Sequence, residues 1–241
     1  MQERFNYHQG QALSVASVNA FMRGVYRWMG AGLAVTAIIA GMMTSYLKGM
    51  SIYQLEAFMS SYGFMFIVLL IAEIGLVFVL GAAIHKMSAP VAAGVFMAYC
   101  ALSGLTLSVI LFGYTYGSIA SAFVATTAMF AGLSIYGMFT SRDLTGLGPI
   151  LTMALIGMLI GFIINIFLGS PAFDYLLCAI GVVIFAGLTA YDSQKLRQMG
   201  EMMPQDDALA VRRGTILGAL TLYLDFINLF IMLLHLFGNR E

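Results

Sequence analysis

Three acidic residues, Glu73, Asp192 and Asp225, stand inside stretches that are otherwise apolar enough to cross a bilayer. A charged carboxylate at the bilayer centre costs roughly 2.5 to 3.5 kcal/mol on insertion scales, so its default roles are to face the bundle interior, share a proton or bind a cation. Asp225 sits near the middle of Gly214 to Phe237, and Glu73 lies at a similar depth in Gly63 to Ile84. This predicts that the two face one interior and form an acidic path. Asp192 lies near one end of its stretch with Lys195 three positions on, so snorkelling and local neutralisation compete with a functional role. Asn165 and Asn228 are weaker candidates for the same path, since interhelical hydrogen bonding used only as packing glue accounts for them equally well. Ser103, Thr106 and Ser108 read as structural hydrogen bonders.

Two aspartates on consecutive helices could also activate a water by general acid-base chemistry, as an intramembrane aspartyl protease does. The second stands in Tyr223-Leu-Asp225 rather than the Gly-x-Gly-Asp of that class, and no Pro-Ala-Leu sequence occurs. His8, His85 and His235 are scattered and supply no closed zinc ligand set. Cys100 and Cys178 lie within apolar spans and read as small buried residues, neither a disulfide nor a metal pair. The expectation is therefore a protein that is not an enzyme and carries no resident cofactor.

The elements that position these groups follow from composition. Hydrophobic residues make up 61% of the 241-residue chain and charged residues 9%, the net charge is zero, and the mean hydropathy is +0.93. These values place the chain in the lipid bilayer and give no basis for a nucleic-acid surface. Residues 1–22 form a polar N-terminal segment without a cleavable apolar core. Residues 23–241 form one domain of seven spans near the ~20 residues that a crossing helix requires. They run about Trp28 to Leu47, Gly63 to Ile84, Val91 to Phe112, Ile119 to Phe139, Leu147 to Leu168, Phe173 to Lys195 and Gly214 to Phe237. The longest polar interruption, Arg197 to Arg213, separates the last two.

Arg4, Arg23, Arg27, Lys86, Arg142, Lys195, Arg197, Arg212 and Arg213 fall on the side of the N-terminus, against only Lys48 and Arg240 on the other. The positive-inside rule then puts the N-terminus in the cytoplasm and the C-terminus outside. In the last span Gly218, Thr221, Asp225, Asn228 and Met232 share one stripe, while Leu222, Phe226, Leu233 and Leu234 point elsewhere. That pattern predicts a helix packed inside a bundle, with Gly214 and Gly218 allowing close approach. It also predicts that Gly218→Leu disrupts packing more than Leu234→Ala.

The string Gly187-Leu-Thr-Ala-Tyr-Asp-Ser-Gln-Lys195 and the string Leu220-Thr-Leu-Tyr-Leu-Asp-Phe-Ile-Asn-Leu-Phe230 resemble the signatures of the Bax inhibitor-1 family of membrane proteins. Ala101-Leu-Ser-Gly-Leu-Thr-Leu-Ser108 and Asn165 are similar as well, and the short tails look like those of bacterial inner-membrane members. The resemblance implies an all-α membrane fold of seven helices, the last central and two layers of three around it. It implies a pH-sensitive calcium leak in which Asp192 and Asp225 form a hydrogen-bonded dyad. Two close carboxyls cannot both ionise cheaply, so the pair holds a proton; deprotonated, it offers the hard oxygens that calcium prefers.

The family latch, an arginine near the cytoplasmic end of the second helix, is replaced here by Gly81-Ala-Ala-Ile-His-Lys86, leaving His85 and Lys86 as latch candidates. Counted at ~1.5 Å per residue, Asp225 lies ~16 Å in from Gly214 and Asp192 ~8 Å from Arg197. The two meet only if the sixth helix continues past Arg197, the helices tilt, or water enters. Relatives also suggest a different role, as partner of a membrane-anchored quality-control protease, with residues 1 to 20 and the stretch Arg197 to Arg213 as docking segments.

Overall fold

The computed structural model describes residues 2–203 and 207–240, with side chains from residue 16 onward except at 59 and 61. Most of the proposed N-terminal docking segment, and residues 204–206 of the stretch between the last two spans, therefore lie outside the described side chains. The described chain is all-α. Its helices are α1 (Gln2–Lys48), α2 (Ile52–Ala83), α3 (Ala89–Phe112), α4 (Tyr116–Phe139), α5 (Leu147–Leu168), α6 (Pro171–Met202) and α7 (Ala208–Phe237), with a 3-10 turn, Ile84–Lys86, before α3. Seven of them are long and apolar enough to cross a membrane. Helices satisfy every backbone N–H and C=O internally, the condition lipid imposes on a spanning segment.

Several helices outrun the apolar spans. The first is continuous through the expected boundary at residue 22. Likewise α6 runs five residues past Arg197 and α7 starts six residues before Gly214, so the expected interruption shrinks to residues 203–207. Polar residues do not stop a helix when they find partners. Arg197 donates to Glu201 four residues on (3.1 Å) and to the Met138 carbonyl at the end of α4 (2.5 Å). The last segment is started instead by Asp207, whose Oδ1 accepts from the N–H groups of Leu209 and Ala210.

The chain divides into two compact units. One is built on Asn19–Tyr114 and Met203–Leu220. In it α2 packs on α3, and α1 is stitched to α3 by Thr36 Oγ1 donating to the Cys100 carbonyl (2.8 Å) and Thr44 Oγ1 to the Ser108 carbonyl (3.2 Å). The two bonds repeat at eight residues, two helical turns, on both helices. The approach is close because Gly104 faces α1: a Cβ there would stand 2.9 Å from the Thr36 carbonyl oxygen. Lys48 Nζ closes the end of α3 by donating to the Tyr114 carbonyl.

The other unit is built on Thr115–Met202 and Thr221–Arg240. Here α6 packs against both α4 and α5. Ser134 and Ser193 share a buried hydrogen bond of 2.7 Å between α4 and α6. Gln194 holds the α4–α5 connection, accepting from the Leu144 N–H and donating to the Arg142 carbonyl. Within that connection Asp143 accepts from the Thr145 hydroxyl and N–H, which hold its carboxyl below the usual carboxylate range. Gly169 ends α5 at φ 59°, left-handed backbone that glycine adopts without strain, and Pro171 opens α6.

The surrounded position expected for α7 is met, but the expectation that Leu222, Phe226, Leu233 and Leu234 point away from the packing is overturned. Leu222, Phe226, Leu233 and Leu234 are buried, at 0%, 4%, 7% and 0% exposure, while Thr221 and Asn228 of the supposed inward stripe are only half-buried. Its less buried face runs through Leu217, Thr221, Leu224, Asn228, Ile231 and His235, and 67% of its most apolar window lies inside the protein against 11% for α2 and α5. A polar stripe marks the packed face only when the other faces meet lipid. Leu234→Ala therefore opens a cavity instead of trimming a lipid-facing side chain, and a loss of about 2 to 5 kcal/mol is expected. A melting temperature in detergent equal to that of the native protein would contradict the burial of Leu234.

Candidate functional site

The site is built from α6 and α7 in the second unit. Along α6, Ser193 is tied to Ser134, Gln194 to the connection after α4, and Arg197 to the Met138 carbonyl, so the rotation of this helix about its axis is fixed around Asp192. The cation of Lys195 lies over the Tyr191 ring, 5.7 Å from its centroid, where it also acts on Asp192 through space. Asp192 itself is partly exposed.

On α7, Asp225 is 4% exposed, between Leu224 and Phe226. The Phe226 ring meets Phe123 and Phe130 of α4 edge-on, with centroids 5.7 and 5.5 Å away, making an apolar wall beside the carboxyl. Asp225 Oδ2 is buried with no hydrogen-bond donor.

Asp192 and Asp225 come together with their carboxyls close enough to interact directly. Two ionised carboxylates have no donor between them, so a hydrogen bond within such a pair takes a proton on one of the two. The depth count made them seem too far apart because it took Arg197 and Gly214 as ends at a common level. Both residues lie inside longer helices, and neither marks such a level.

The remaining candidates are dispersed. Asn228 donates to the Leu224 carbonyl of its own helix (2.8 Å), and Asn165 Oδ1 accepts from the Ser170 N–H (3.2 Å), capping the end of α5. Glu73 belongs to the first unit, where it is half-buried on α2 and accepts a hydrogen bond from the Thr106 hydroxyl of α3. His85 and Lys86 are exposed on the 3-10 turn of that same unit.

Sequence reasoning missed two features. Arg213 Nε donates to the Met87 carbonyl (2.7 Å), so a basic residue does fasten the turn after α2, but from α7. And His235, which looked isolated, lies against Asp174 and Cys178.

Comparison with known proteins places this geometry in context. Residues 18–241 match the family model described as inhibitor of apoptosis-promoting Bax1. Over 226 residues the chain is 48% identical to the inner membrane protein YbhL of Escherichia coli K12, covering 94% of each chain. It is 39% identical over 223 residues to a protein of Borreliella burgdorferi, covering 92% of this chain and 93% of that one. With a Deinococcus radiodurans protein the identity is 37% over 231 residues, or 96% and 95% of the two chains.

Proposed function

This chain belongs to the Bax inhibitor family, and from that membership we propose that it is a pH-sensitive cation leak of the bacterial inner membrane, carrying calcium and gated by Asp192 and Asp225. What supports the reading is the approach of the two carboxyls to each other, in a place that gives Asp225 Oδ2 no hydrogen-bond donor. A proton held there is the natural pH-responsive element: losing it removes the bond between α6 and α7 and adds a negative charge to the site.

Calcium fits as cargo rather than as a resident ion. It takes six to eight oxygen ligands, and two carboxyls supply at most about four, so water or backbone carbonyls complete the shell and the ion is held loosely enough to leave. The basic residues set the N-terminus in the cytoplasm. As a leak the protein turns over no substrate and needs no cofactor. The test is calcium entry into liposomes containing the purified protein, measured from acidic to neutral pH. Flux that exceeds protein-free liposomes and varies with pH is expected; flux equal to protein-free liposomes overturns the proposal.

The same preparation separates this reading from the regulatory one. Loss of a co-purifying membrane-anchored protease on deleting residues 1 to 20, with no flux in either form, would move the function to docking. Glu73 is the further pathway candidate. Glu73→Gln keeps an oxygen for the Thr106 hydroxyl, so the fold is expected to be retained while cation flux slows severalfold. Unchanged flux with an unchanged pH profile assigns Glu73 to packing between α2 and α3.

A further inference from the structure

Asp174 and Cys178 are four residues apart on α6 and so share one face of it. His235, in the last turn of α7, comes up against them: one ligand atom from each of the three lies within 4.8 Å of the others, and His235 Nε2 is 2.6 Å from Asp174 Oδ2. Cys178 is 3% exposed and in no disulfide. Beside them is a cavity of about 490 Å³ lined by Asn165, Gly169, Ser170, Asp174 and Arg240, among others. Arg240 reaches His235, with Nη2 3.1 Å from Nε2.

We propose that Asp174, Cys178 and His235 form a binding site for a divalent transition-metal ion of the zinc class. The donor set decides the class. Calcium and magnesium take oxygen ligands, whereas one thiolate, one imidazole and one carboxylate form the mixed set that zinc accepts, with a fourth position left open. Ligands at about 2.0 to 2.3 Å from one ion in tetrahedral directions stand about 3.3 to 3.8 Å apart, so the side chains need move only on the order of 1 Å. The cavity leaves room for water at the fourth position.

The ion binds at the Nε2 lone pair of the neutral imidazole, and binding releases the Cys178 thiol proton. Arg240 is then a resident cation that opposes the incoming one. The site is separate from the carboxyl pair: Asp174 and Asp192 are 18 residues apart on α6, about 27 Å along the axis.

The test is titration of the purified full chain, stripped with a chelator, with cobalt(II) and then zinc(II). One cobalt per chain is expected, with a thiolate-to-cobalt charge-transfer absorption that zinc displaces. Cys178→Ser should abolish that absorption, and Asp174→Asn and His235→Gln should each weaken binding at least tenfold. Cys100→Ser should change nothing, and Arg240→Ala should tighten binding. Absence of stoichiometric cobalt binding, or a charge-transfer band that survives Cys178→Ser, overturns the proposal. If Cys178→Ser does not fold, the near-isosteric Asp174→Asn decides by the same affinity criterion. None of these readings depends on calcium flux, so the metal site and the leak fail independently.

Discussion

Asp192→Asn, Asp225→Asn and the double variant should each give a cation leak that changes little with pH, the double being no more severe than the worse single. In the proposed mechanism the two carboxyls, which lie close enough to interact directly, share one proton. Replacing either acid by an amide supplies a permanent donor and leaves one ordinary titrating group, so each single change already removes the coupled transition. Groups sharing one bond are non-additive, with coupling of about 0.5 to 3 kcal/mol, whereas independent sites add. The size suits a gate. Once the proton leaves, Asp225 Oδ2 is a buried charged acceptor without a donor, a state costing about 1 to 3 kcal/mol or more. Every ~1.4 kcal/mol shifts a two-state equilibrium tenfold toward the form that rehydrates the carboxylate. The decisive measurement is flux against pH for all four proteins in liposomes. A pH profile that survives in both single variants removes the pair from the mechanism.

Asp225 and Asp192 stood out as candidates in the sequence because an acid inside an apolar span is conspicuous whatever its neighbours are. Seven spans were legible for the related reason that bilayer thickness sets a minimum apolar length. Where the helices end was not, since beyond the lipid that constraint lapses. Arg197 continues α6 because Glu201 and the Met138 carbonyl are within reach, and the second of these is 59 residues away in the chain.

Which leucines of α7 are fully buried was illegible for a different reason. A leucine against lipid and a leucine against protein look alike in sequence, so Leu222 and Leu234 gave no sign that they are fully buried. The Asp174, Cys178 and His235 cluster escaped notice because two of its members lie near the start of α6 and the third at the end of α7. Only the packing of the two helices brings them together. In the other unit, Thr106 read as structural and Glu73 as a pathway residue, and their hydrogen bond allows both descriptions until flux is measured.

The other large effect is expected at Gly137, where α4 meets α6. A Cβ there would stand 2.1 Å from the Ala190 carbonyl oxygen and 2.9 and 3.0 Å from its carbonyl carbon and Cα. All three are backbone atoms, so no rotamer change relieves the clash and the helices themselves must separate by an ångström or more. Separation breaks the buried Ser134–Ser193 bond one turn away and pulls at the Arg197 bond to the Met138 carbonyl. Overpacking of about 1 to 3 kcal/mol and the loss of a buried hydrogen bond of about 1 to 3 kcal/mol act together, so Gly137→Ala should destabilise by about 3 kcal/mol or more. Ala190 is two residues from Asp192, so the variant should also weaken the carboxyl contact and flatten the pH profile of the leak.

Gly132, on the same helix, is the matched control. A Cβ there meets nothing within 4 Å, and alanine in a helix interior is favoured over glycine by roughly 0.5 to 1 kcal/mol, so Gly132→Ala should be neutral or stabilising. Thermal unfolding in detergent tests the pair directly. Equal melting temperatures for the two variants would mean that α4 and α6 do not touch through backbone at Gly137, and the rigid mounting of Asp192 would lose its basis.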